Sequence, residues 1–352
     1  MSLAGGLVQL VHPSLGHILL ISAERMLALL WIILRHLGSL PIGQWFCYGI
    51  GLGQTILASI AVSILLAPWG FPARWLALLW LLPIITWRPI APRYAEVWFY
   101  LLDVGQGLAS VIRTQHHTLV YDTGPPVYSD VDRTIPRSFL NAQGITSLDK
   151  LMISHADSDH SGGACSLLQT MSVTELITSF PLSQSPLHRC RTTAHTYCFC
   201  GQTWIWDGIR FEVLHPDSGE NYLGNNSSCV LKISTATASV LLTGDIEKTA
   251  ESYLVQNFQK KLNSTILIAP HHGSKTSSSS AFIATVHPHY VLFSVGYRNR
   301  FHFPNPIIIR RYRQENSKIY TTVTEGMLTF KIKKGSLQMY GYKKEKERFW
   351  HN

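Results

Sequence analysis

A run of 23 residues without a charge, WFCYGIGLGQTILASIAVSILLA at 45–67, constrains this chain more than any other feature. A helix needs about 20 apolar residues to cross the hydrocarbon core of a bilayer, and this run meets that length. Charged residues make up only 14% of the chain, against about 25% in average soluble proteins. We therefore expect part of the chain to lie in a membrane.

Two further apolar stretches flank that run. The stretch at 17–37 holds one acidic and two basic residues, and it predicts either a span inside a helix bundle or a helix on the membrane surface. The stretch at 74–87 is short and contains Pro83, which predicts a short span or a re-entrant segment. The apolar material is too long and too repeated for a cleaved signal peptide, so we expect a multi-pass arrangement.

The composition changes at RPIAPRYAEV, residues 88–97, where prolines and arginines end the apolar part. Short strand-like runs follow, such as VWFYLLDVG and SVLLTGD, and helical stretches such as KTAESYLVQNFQKKL lie between some of them. Interleaved runs of this kind predict a layered α/β domain around a large sheet. We expect a membrane-helical segment at 1–93, the α/β domain at 94–340 and a charged tail at 341–352.

The chain is basic, with a formal net charge of +9 and a pI near 9.3. Such a surplus favours anionic partners, namely nucleic acid, phosphorylated substrates or an acidic membrane surface. Basic residues that flank membrane spans would give the same surplus without any such partner.

Three of the six cysteines cluster in CRTTAHTYCFC at 190–200. Their spacing lacks the paired C-x-x-C knuckles that are typical of structural zinc sites. If this region lies outside the cytoplasm, Cys190 can form a disulfide with Cys198 or Cys200. Free thiols are the alternative.

Several strand-like runs end in side chains that bind metals. Strand ends at one edge of a sheet are where α/β folds build their sites. A mixed shell of imidazoles and carboxylates suits Zn, Mn or Fe, and the carboxylate share favours a harder ion such as Mn. One aspartate between two ions can bridge them at about 3.5–4 Å. The candidates are Asp122, His155, Asp157, Asp159, His160, Asp245, His271 and His272.

The H-x-D-x-D-H spacing of SHADSDHSGG, residues 154–163, makes physical sense for such a site. Alternate residues of a loop that leaves a strand point the same way, so His155, Asp157 and Asp159 can converge. His160 then turns in from the next helix, and the two glycines let the backbone pass close to the site. Alone, the aspartate of LTGD is typical of a turn and HHG of a surface loop; together and in this order they indicate a metal site.

These motifs resemble the metallo-β-lactamase superfamily, in which the first motif normally reads H-x-H-x-D-H. Here Asp157 stands where the second histidine usually stands. With LDVGQG at 102–107, YDTG at 121–124, NNSS at 225–228 and PHHGSKTSSS at 270–279, the chain resembles the ComEC-type competence proteins of bacterial inner membranes. The resemblance implies a metallo-β-lactamase-like αββα sandwich behind the end of a DNA channel. Members of that family are about twice as long, so we expect a split product, a degraded gene or a fragment.

The resemblance also implies a role for each ligand of two divalent ions, Mn or Zn. His155 and Asp157 would hold one ion, Asp159 and His160 the other, and Asp245 would lie between them. His271 would complete the ligand set of the second ion, and His272 would lie beside His271 near the substrate. Asp159, His272 and Asp122 are the catalytic candidates, with Asp122 orienting the histidine loop. Candidate substrate-binding residues are Asn226, Ser228, Ser274, Lys275, Asn299, Arg300 and His302.

The chain departs from the family pattern at two places. NNSS stands where many members have a third histidine on the first ion, so that ion is expected to be weakly held. In NRFHFPNP, residues 299–306, two family histidines are replaced by Phe303 and Asn305. His302, one position earlier, is a candidate replacement.

A single strand of DNA is the expected substrate, held by basic side chains with aromatic side chains between them. An ordinary solvated helix face is the alternative explanation of RRYR at 310–313. The candidates are Lys275, Arg298, Arg300, Arg310 and Arg311, with Tyr297, Phe301 and Tyr312.

The motifs therefore predict a metal-dependent phosphodiesterase or nuclease that acts on incoming DNA in natural transformation. A non-catalytic part of a DNA-translocation channel and a metal hydrolase of another ester are the alternatives. Expected partners are DNA, the membrane, other competence proteins and a second copy of the chain. The family and the cysteines favour a periplasmic domain, whereas Arg88 and Arg93 favour the cytoplasmic side.

Overall fold

The computed structural model describes residues 2–40, 51–68, 70–87, 89–126, 134–190, 193–218 and 222–345. The chain forms two compact units, Met1–Trp87 and Arg88–Asn352.

The first unit is helical. In α2, apolar side chains such as Trp31 and Ile32 are exposed around the helix. Within the described residues, α2 alone has the length and apolar composition needed to cross a membrane. α3 has only 14 residues, and residues 45–50 of the span expected at 45–67 lie outside the described part. The helices are α1 (Ser2–Gln9), α2 (Pro13–Ser39), α3 (Leu52–Leu65) and α4 (Ala77–Thr86), with a 3₁₀ turn at Arg74–Leu76.

The second unit consists of two sheets with helices on their outer faces. Its strands are β1 (Val97–Leu101), β2 (Ala109–Arg113), β3 (Thr118–Thr123), β4 (Ser147–Ile153), β5 (Ser172–Thr178), β6 (Ala194–Tyr197), β7 (Thr203–Trp206), β8 (Ile209–His215), β9 (Val230–Ser234), β10 (Ser239–Leu242), β11 (Ile266–Ile268), β12 (Tyr290–Phe293), β13 (Lys318–Thr321), β14 (Leu328–Lys333) and β15 (Ser336–Gly341). Its helices are α5 (Ile135–Ala142), α6 (Ser158–Ser161), α7 (Ala164–Thr170), α8 (Lys248–Phe258), α9 (Ser280–Val286), α10 (Pro306–Gln314), α11 (Thr322–Glu325) and α12 (Tyr342–Glu345). Short 3₁₀ turns lie at Leu182–Gln184, Pro186–Arg189, Gly224–Ser227, Gln259–Leu262 and Pro270–Gly273.

The two sheets pack face to face. One has the order β15-β14-β1-β2-β3-β4-β5-β6 and the other β13-β12-β11-β10-β9-β8-β7. Side chains such as Phe99, Phe211 and Phe330 fill the layer between the sheets. Leu140 and Leu167 pack helices onto the first sheet, and Leu254 packs a helix onto the second. This confirms the expected αββα sandwich.

Parallel pairing gathers the polar strand ends at one edge. β3, β4 and β5 are parallel neighbours in one sheet, and β10, β11, β12 and β13 are parallel neighbours in the other. The carboxyl ends of parallel strands meet at one edge, where α/β folds place their sites. Asp122, His155, Asp245 and His271 all lie in or directly after strands of these two groups.

The cysteine pairing differs from the sequence-based expectation. Cys190 is bonded to Cys165, with the two Cα atoms 5.3 Å apart, and Cys198 is bonded to Cys229. Cys200 is left without a disulfide among the described cysteines. Spacing along the chain cannot reveal such pairs, because the helix that carries Cys165 and the strand start at Cys229 approach the cluster only in the folded sandwich.

The expected tail at 341–352 is folded at its start. Gly341 ends β15, and Tyr342–Glu345 forms α12. Lys344 pairs with Glu325 at 3.1 Å.

Candidate metal centre

The loop that follows β4 carries both buried and exposed candidate ligands. His155 and His160 are completely buried, whereas the side chain of Asp157 is 59% exposed. Asp157 precedes the first turn of α6, and His160 points inward from that turn. Gly163 follows, and a Cβ there would lie 2.7 Å from the Thr123 carbonyl oxygen, so the close backbone approach expected for SGG is present.

Asp122 and Ser154 fix the rings of both buried histidines. The Nδ1–H of His160 donates to Asp122 Oδ2 at 2.8 Å, because a carboxylate can only accept. Ser154 donates its hydroxyl to the same oxygen at 2.7 Å, so toward His155 Nδ1, at 3.0 Å, that hydroxyl accepts. In their neutral form, both rings therefore carry their hydrogen on Nδ1 and turn the Nε2 lone pair toward the site.

His272 supplies a third lone pair. Its Nδ1–H donates to the Ser294 carbonyl at 2.8 Å, which leaves Nε2 without a hydrogen in the neutral ring. That Nε2 lies 3.2 Å from His160 Nε2 and 3.5 Å from Asp245 Oδ2. Asp245 Oδ1 in turn lies 3.1 Å from His160 Nε2.

Lone pairs that face each other in a buried place are stabilised by a positive charge between them, which a proton or a metal ion can supply. In the described part of the chain, His155 Nε2 is buried without a hydrogen-bond partner. Two groups of candidate metal ligands are present, and within each group all donor atoms lie within 4.8 Å of one another. They are His155, His160 and Asp245, and Asp159, His160 and His272. The donor set therefore fits one or two divalent ions.

The charges of this cluster are coupled. Burial alone would lower the pKa of His160, but the carboxylates of Asp245 and Asp122 raise it well above its usual value. Burial would raise the pKa of Asp245, but His160 and His272 hold it well below its usual range. Asp245 is therefore an anion in this cluster and attracts positive charge.

The two consecutive histidines, His271 and His272, make different contacts. His272 faces His160 and Asp159, whereas His271 Nε2 lies 3.7 Å from Asp245 and its Nδ1 lies 3.3 Å from Glu247. Both residues have left-handed backbones, with φ of 50° and 55°. This turn breaks the strand alternation, so the sequence cannot show which ring points inward.

Several expected substrate-binding residues support the site from behind. Ser228 is buried, and its hydroxyl accepts from Asp245 N at 3.1 Å. Asn226 accepts from Glu247 N at 3.1 Å and so caps the start of α8. Ser274 is buried and bonds to Thr276. A Cβ at Gly244 would lie 2.8 Å from the Ser228 Cβ, so only glycine fits before Asp245.

The other expected substrate contacts lie at the surface. Lys275, Arg300 and His302 are exposed, and Asn299 is half-buried. Asn305 caps α10 by accepting from Ile307 N at 3.0 Å.

The RRYR segment differs from the expected strand contact. Tyr312 is completely buried and bonds to Ser278 at 3.0 Å, so it cannot stack on a base. Arg311 donates to the Ser278 carbonyl at 2.8 Å. Arg310 is exposed, as is Arg298 on the preceding loop.

Sequence reasoning missed four contributors. Ser154 orients both buried histidines, and the Ser294 carbonyl orients His272. Glu247 contacts His271, and Tyr222 accepts from Ala156 N at 2.9 Å in the histidine loop. Glu247 was within reach of the sequence, because it follows the TGD motif by two positions. The others are brought in by the fold.

The fold and the cluster together are typical of metal-dependent hydrolases with an αββα sandwich. The chain belongs to the metallo-β-lactamase superfamily, whose family model matches residues 102–296.

The resemblance to competence proteins is also confirmed. The chain is 34% identical over 283 residues to "Competence protein ComA" of Neisseria gonorrhoeae, covering 80% of this chain and 39% of that protein. It is 33% identical over 228 residues to "Recombination protein 2" of Haemophilus influenzae, covering 64% of this chain and 28% of that protein. The chain thus spans well under half the length of these relatives.

A solved structure covers the sandwich at lower similarity. Igni18, a metallo hydrolase of Ignicoccus hospitalis, is 13% identical with a TM-score of 0.46, covering 67% of this chain and 100% of that chain.

Proposed function

We propose that this chain is a metal-dependent phosphodiesterase that acts on single-stranded DNA during uptake across a bacterial inner membrane. The observation that carries the proposal is the convergence of three Nε2 lone pairs on the Asp245 carboxylate. A solvent-open cavity of about 700 Å³ lies beside this cluster and is lined in part by Asp157 and Asp159.

Some residues of the cluster would hold a metal ion, and others orient the side chains that hold it. A bound divalent cation would polarise a phosphoryl oxygen and make water a better nucleophile near neutral pH. His155 and Asp245 would hold one ion and Asp159 and His272 the other, and His160, whose Nε2 has a single lone pair, would bind only one of the two. Asp122 keeps the His160 proton on Nδ1, so that Nε2 stays available.

DNA is the substrate that the other properties favour. The relatives carry names from competence and recombination. The net charge of +9 suits a polyanion. Lys275, Arg298, Arg300 and Arg310 are exposed cations of the sandwich.

We place the chain in the inner membrane as a multi-pass protein with its sandwich in the periplasm. α2 has the length and composition of a span. The two disulfides of the sandwich favour an oxidising compartment. Other competence proteins and a second copy of the chain are its proposed partners there.

Cleavage of labelled DNA tests the proposal. The full chain in detergent is incubated with end-labelled single-stranded DNA and Mn²⁺, beside an Asp245→Ala variant and an EDTA sample. Asp217→Ala, which removes an exposed aspartate, is the matched control. We expect degradation by the parent and the control only. Intact DNA with a folded, metal-loaded parent would contradict the proposal.

A non-catalytic role in a translocation channel is the second candidate. It is favoured by the absence of a histidine in NNSS, where Ser228 instead holds the backbone of Asp245. For this role, DNA binding would persist after the metal is removed, and no strand would be cut.

A further inference from the structure

The loop of residues 297–303, between β12 and α10, carries two pairs of an aromatic ring and a guanidinium. The guanidinium carbon of Arg298 lies 5.2 Å from the centre of the Tyr297 ring. That of Arg300 lies 4.7 Å from the centre of the Phe301 ring. We refer to residues 297–303 as the aromatic loop.

The aromatic loop is held in one shape by Asn299. Its side-chain amide donates to the carbonyls of Gly296 at 3.1 Å and Phe303 at 2.7 Å. Its amide oxygen accepts from Phe303 N at 2.9 Å. Asn299 thus crosslinks both ends of the loop, and little ordering remains to be done when a ligand binds.

The rings of the loop are displayed to solvent. Tyr297 is 73% exposed and Phe301 is 48% exposed, so both rings are accessible to a ligand. Both carry a cation at one face, and a guanidinium is itself a good partner for phosphate.

Phe301 also starts a ladder of rings toward the metal centre. It stacks on Phe303 with ring centres 5.5 Å apart and planes 19° apart. Phe303 in turn meets the His271 ring edge-on at 6.0 Å. The ladder depends on Phe303, one of the two departures from the family pattern. The phenylalanine at 303, where family members have a histidine, therefore adds a ring to this stacking surface.

The same cavity joins the loop to the candidate metal ligands. Its lining includes Asn299, Arg300 and Phe301 as well as Asp157 and Asp159. A chain seated on the loop would therefore have its backbone beside the metal centre.

We propose that the aromatic loop is a clamp for single-stranded nucleic acid that seats one strand over the Asp157 and Asp159 side of the cavity. The Tyr297–Arg298 and Arg300–Phe301 pairs would each take one nucleotide. The base stacks on the ring in place of the guanidinium, and the freed guanidinium binds the adjacent phosphate. This assigns residues that would bind the substrate of the proposed function, and it rests on that function for its purpose.

The pairing of rings with cations selects for unpaired bases. In a duplex each base already stacks on its neighbours, so its faces are closed to Phe301 and Tyr297. In a single strand these faces are open, and stacking tolerates any base. The clamp is therefore expected to prefer single strands to duplex without reading their sequence.

Binding without cleavage tests the clamp. The full chain in detergent, with EDTA present, is titrated against a short fluorescent single strand, the matching duplex and a strand with abasic sites. Fluorescence anisotropy gives each affinity. We expect Phe301→Ala and Tyr297→Ala each to weaken single-strand binding by about 5- to 150-fold, the range for loss of one base–aromatic stack. The parent should bind the abasic strand as weakly as these variants bind the normal strand.

Two controls keep the test specific. Tyr197→Ala removes a tyrosine of β6 that is 51% exposed, about as much as Phe301, and should leave binding unchanged. Arg300→Gln should lower the slope of log affinity against log salt by about 0.7, because one phosphate contact is lost. Equal binding of the normal and abasic strands, or unchanged affinity in both ring variants, would overturn the clamp.

The outcomes separate this inference from the proposed function. If the parent cuts single strands while the ring variants bind normally, the clamp fails and the phosphodiesterase stands. If nothing is cut while the ring variants lose affinity, the clamp stands and the phosphodiesterase fails.

Discussion

The candidate metal centre has a buried half and an exposed rim, and the two are built differently. In the buried half, His155, His160 and His272 each have one ring nitrogen fixed by a hydrogen bond. On the rim, Asp157 and His271 are open to solvent and lie 3.6 Å and 3.7 Å from their nearest partners in the cluster. The buried half is preorganised for a cation, whereas rim side chains can adjust to an ion or a substrate.

The largest effect is expected at the centre of the buried half. Asp245→Ala removes the carboxylate that both His160 and His272 face, so metal affinity should fall by more than the ~100-fold that supporting residues cost. Isothermal titration with Mn²⁺ and Zn²⁺ measures it, with Asp217→Ala as the control. An Asp245→Ala protein that keeps full affinity would remove Asp245 from the centre.

Asp122→Asn tests the support of the buried half. The variant cannot accept the His160 proton with a full charge, so metal affinity should fall by about 10- to 100-fold. Asp149→Asn is a matched control, since Asp149 accepts from His117 Nδ1 at 2.9 Å in a half-exposed pair elsewhere. Equal losses in both variants would show a general effect of charge rather than orientation.

His155→Gln and Asp157→Asn compare one ligand from each half. His155 is preorganised and Asp157 is not, so His155→Gln should cost about 10-fold more metal affinity than Asp157→Asn, or about 1.4 kcal/mol. The same titration measures both. If Asp157→Asn costs as much or more, the rim contributes to metal binding at least as strongly as the buried half.

The smallest effect is expected at His271. His271→Gln should reduce metal affinity by less than about 10-fold, below the range for residues that orient ligands. His272→Gln, one position later, should reduce it by more than about 100-fold. The reverse order would restore the ligand assignment that the sequence pattern implied.

The sequence predicted those features that follow from regular structure. His155, Asp245 and the HHG motif each follow a strand, and parallel strands bring their ends together without further information. The strand pattern predicted a layered α/β domain, and the resemblance to the metallo-β-lactamase superfamily implied the αββα sandwich. The apolar residues 1–87 form a separate compact unit.

The remaining features depend on local turns and on distant partners. The left-handed backbones of His271 and His272 decide which ring faces the histidine cluster, and no sequence pattern reveals them. Tyr312 belongs to an arginine-rich helix, yet it faces the core. Cys165 and Cys229 reach their partners only through the folded sheets.

β1 lies between β2 and β14, so its two edges are not both paired until late in the synthesis of the chain. Val97–Leu101 is the first strand of the sandwich to be made, yet one of its edges pairs with Leu328–Lys333, which is made near the end. Until then that edge offers unpaired backbone groups to any other strand. A message cut short before residue 328 would therefore yield a chain in which β1 stays an unpaired sheet edge, prone to aggregation even if it contains every candidate metal ligand.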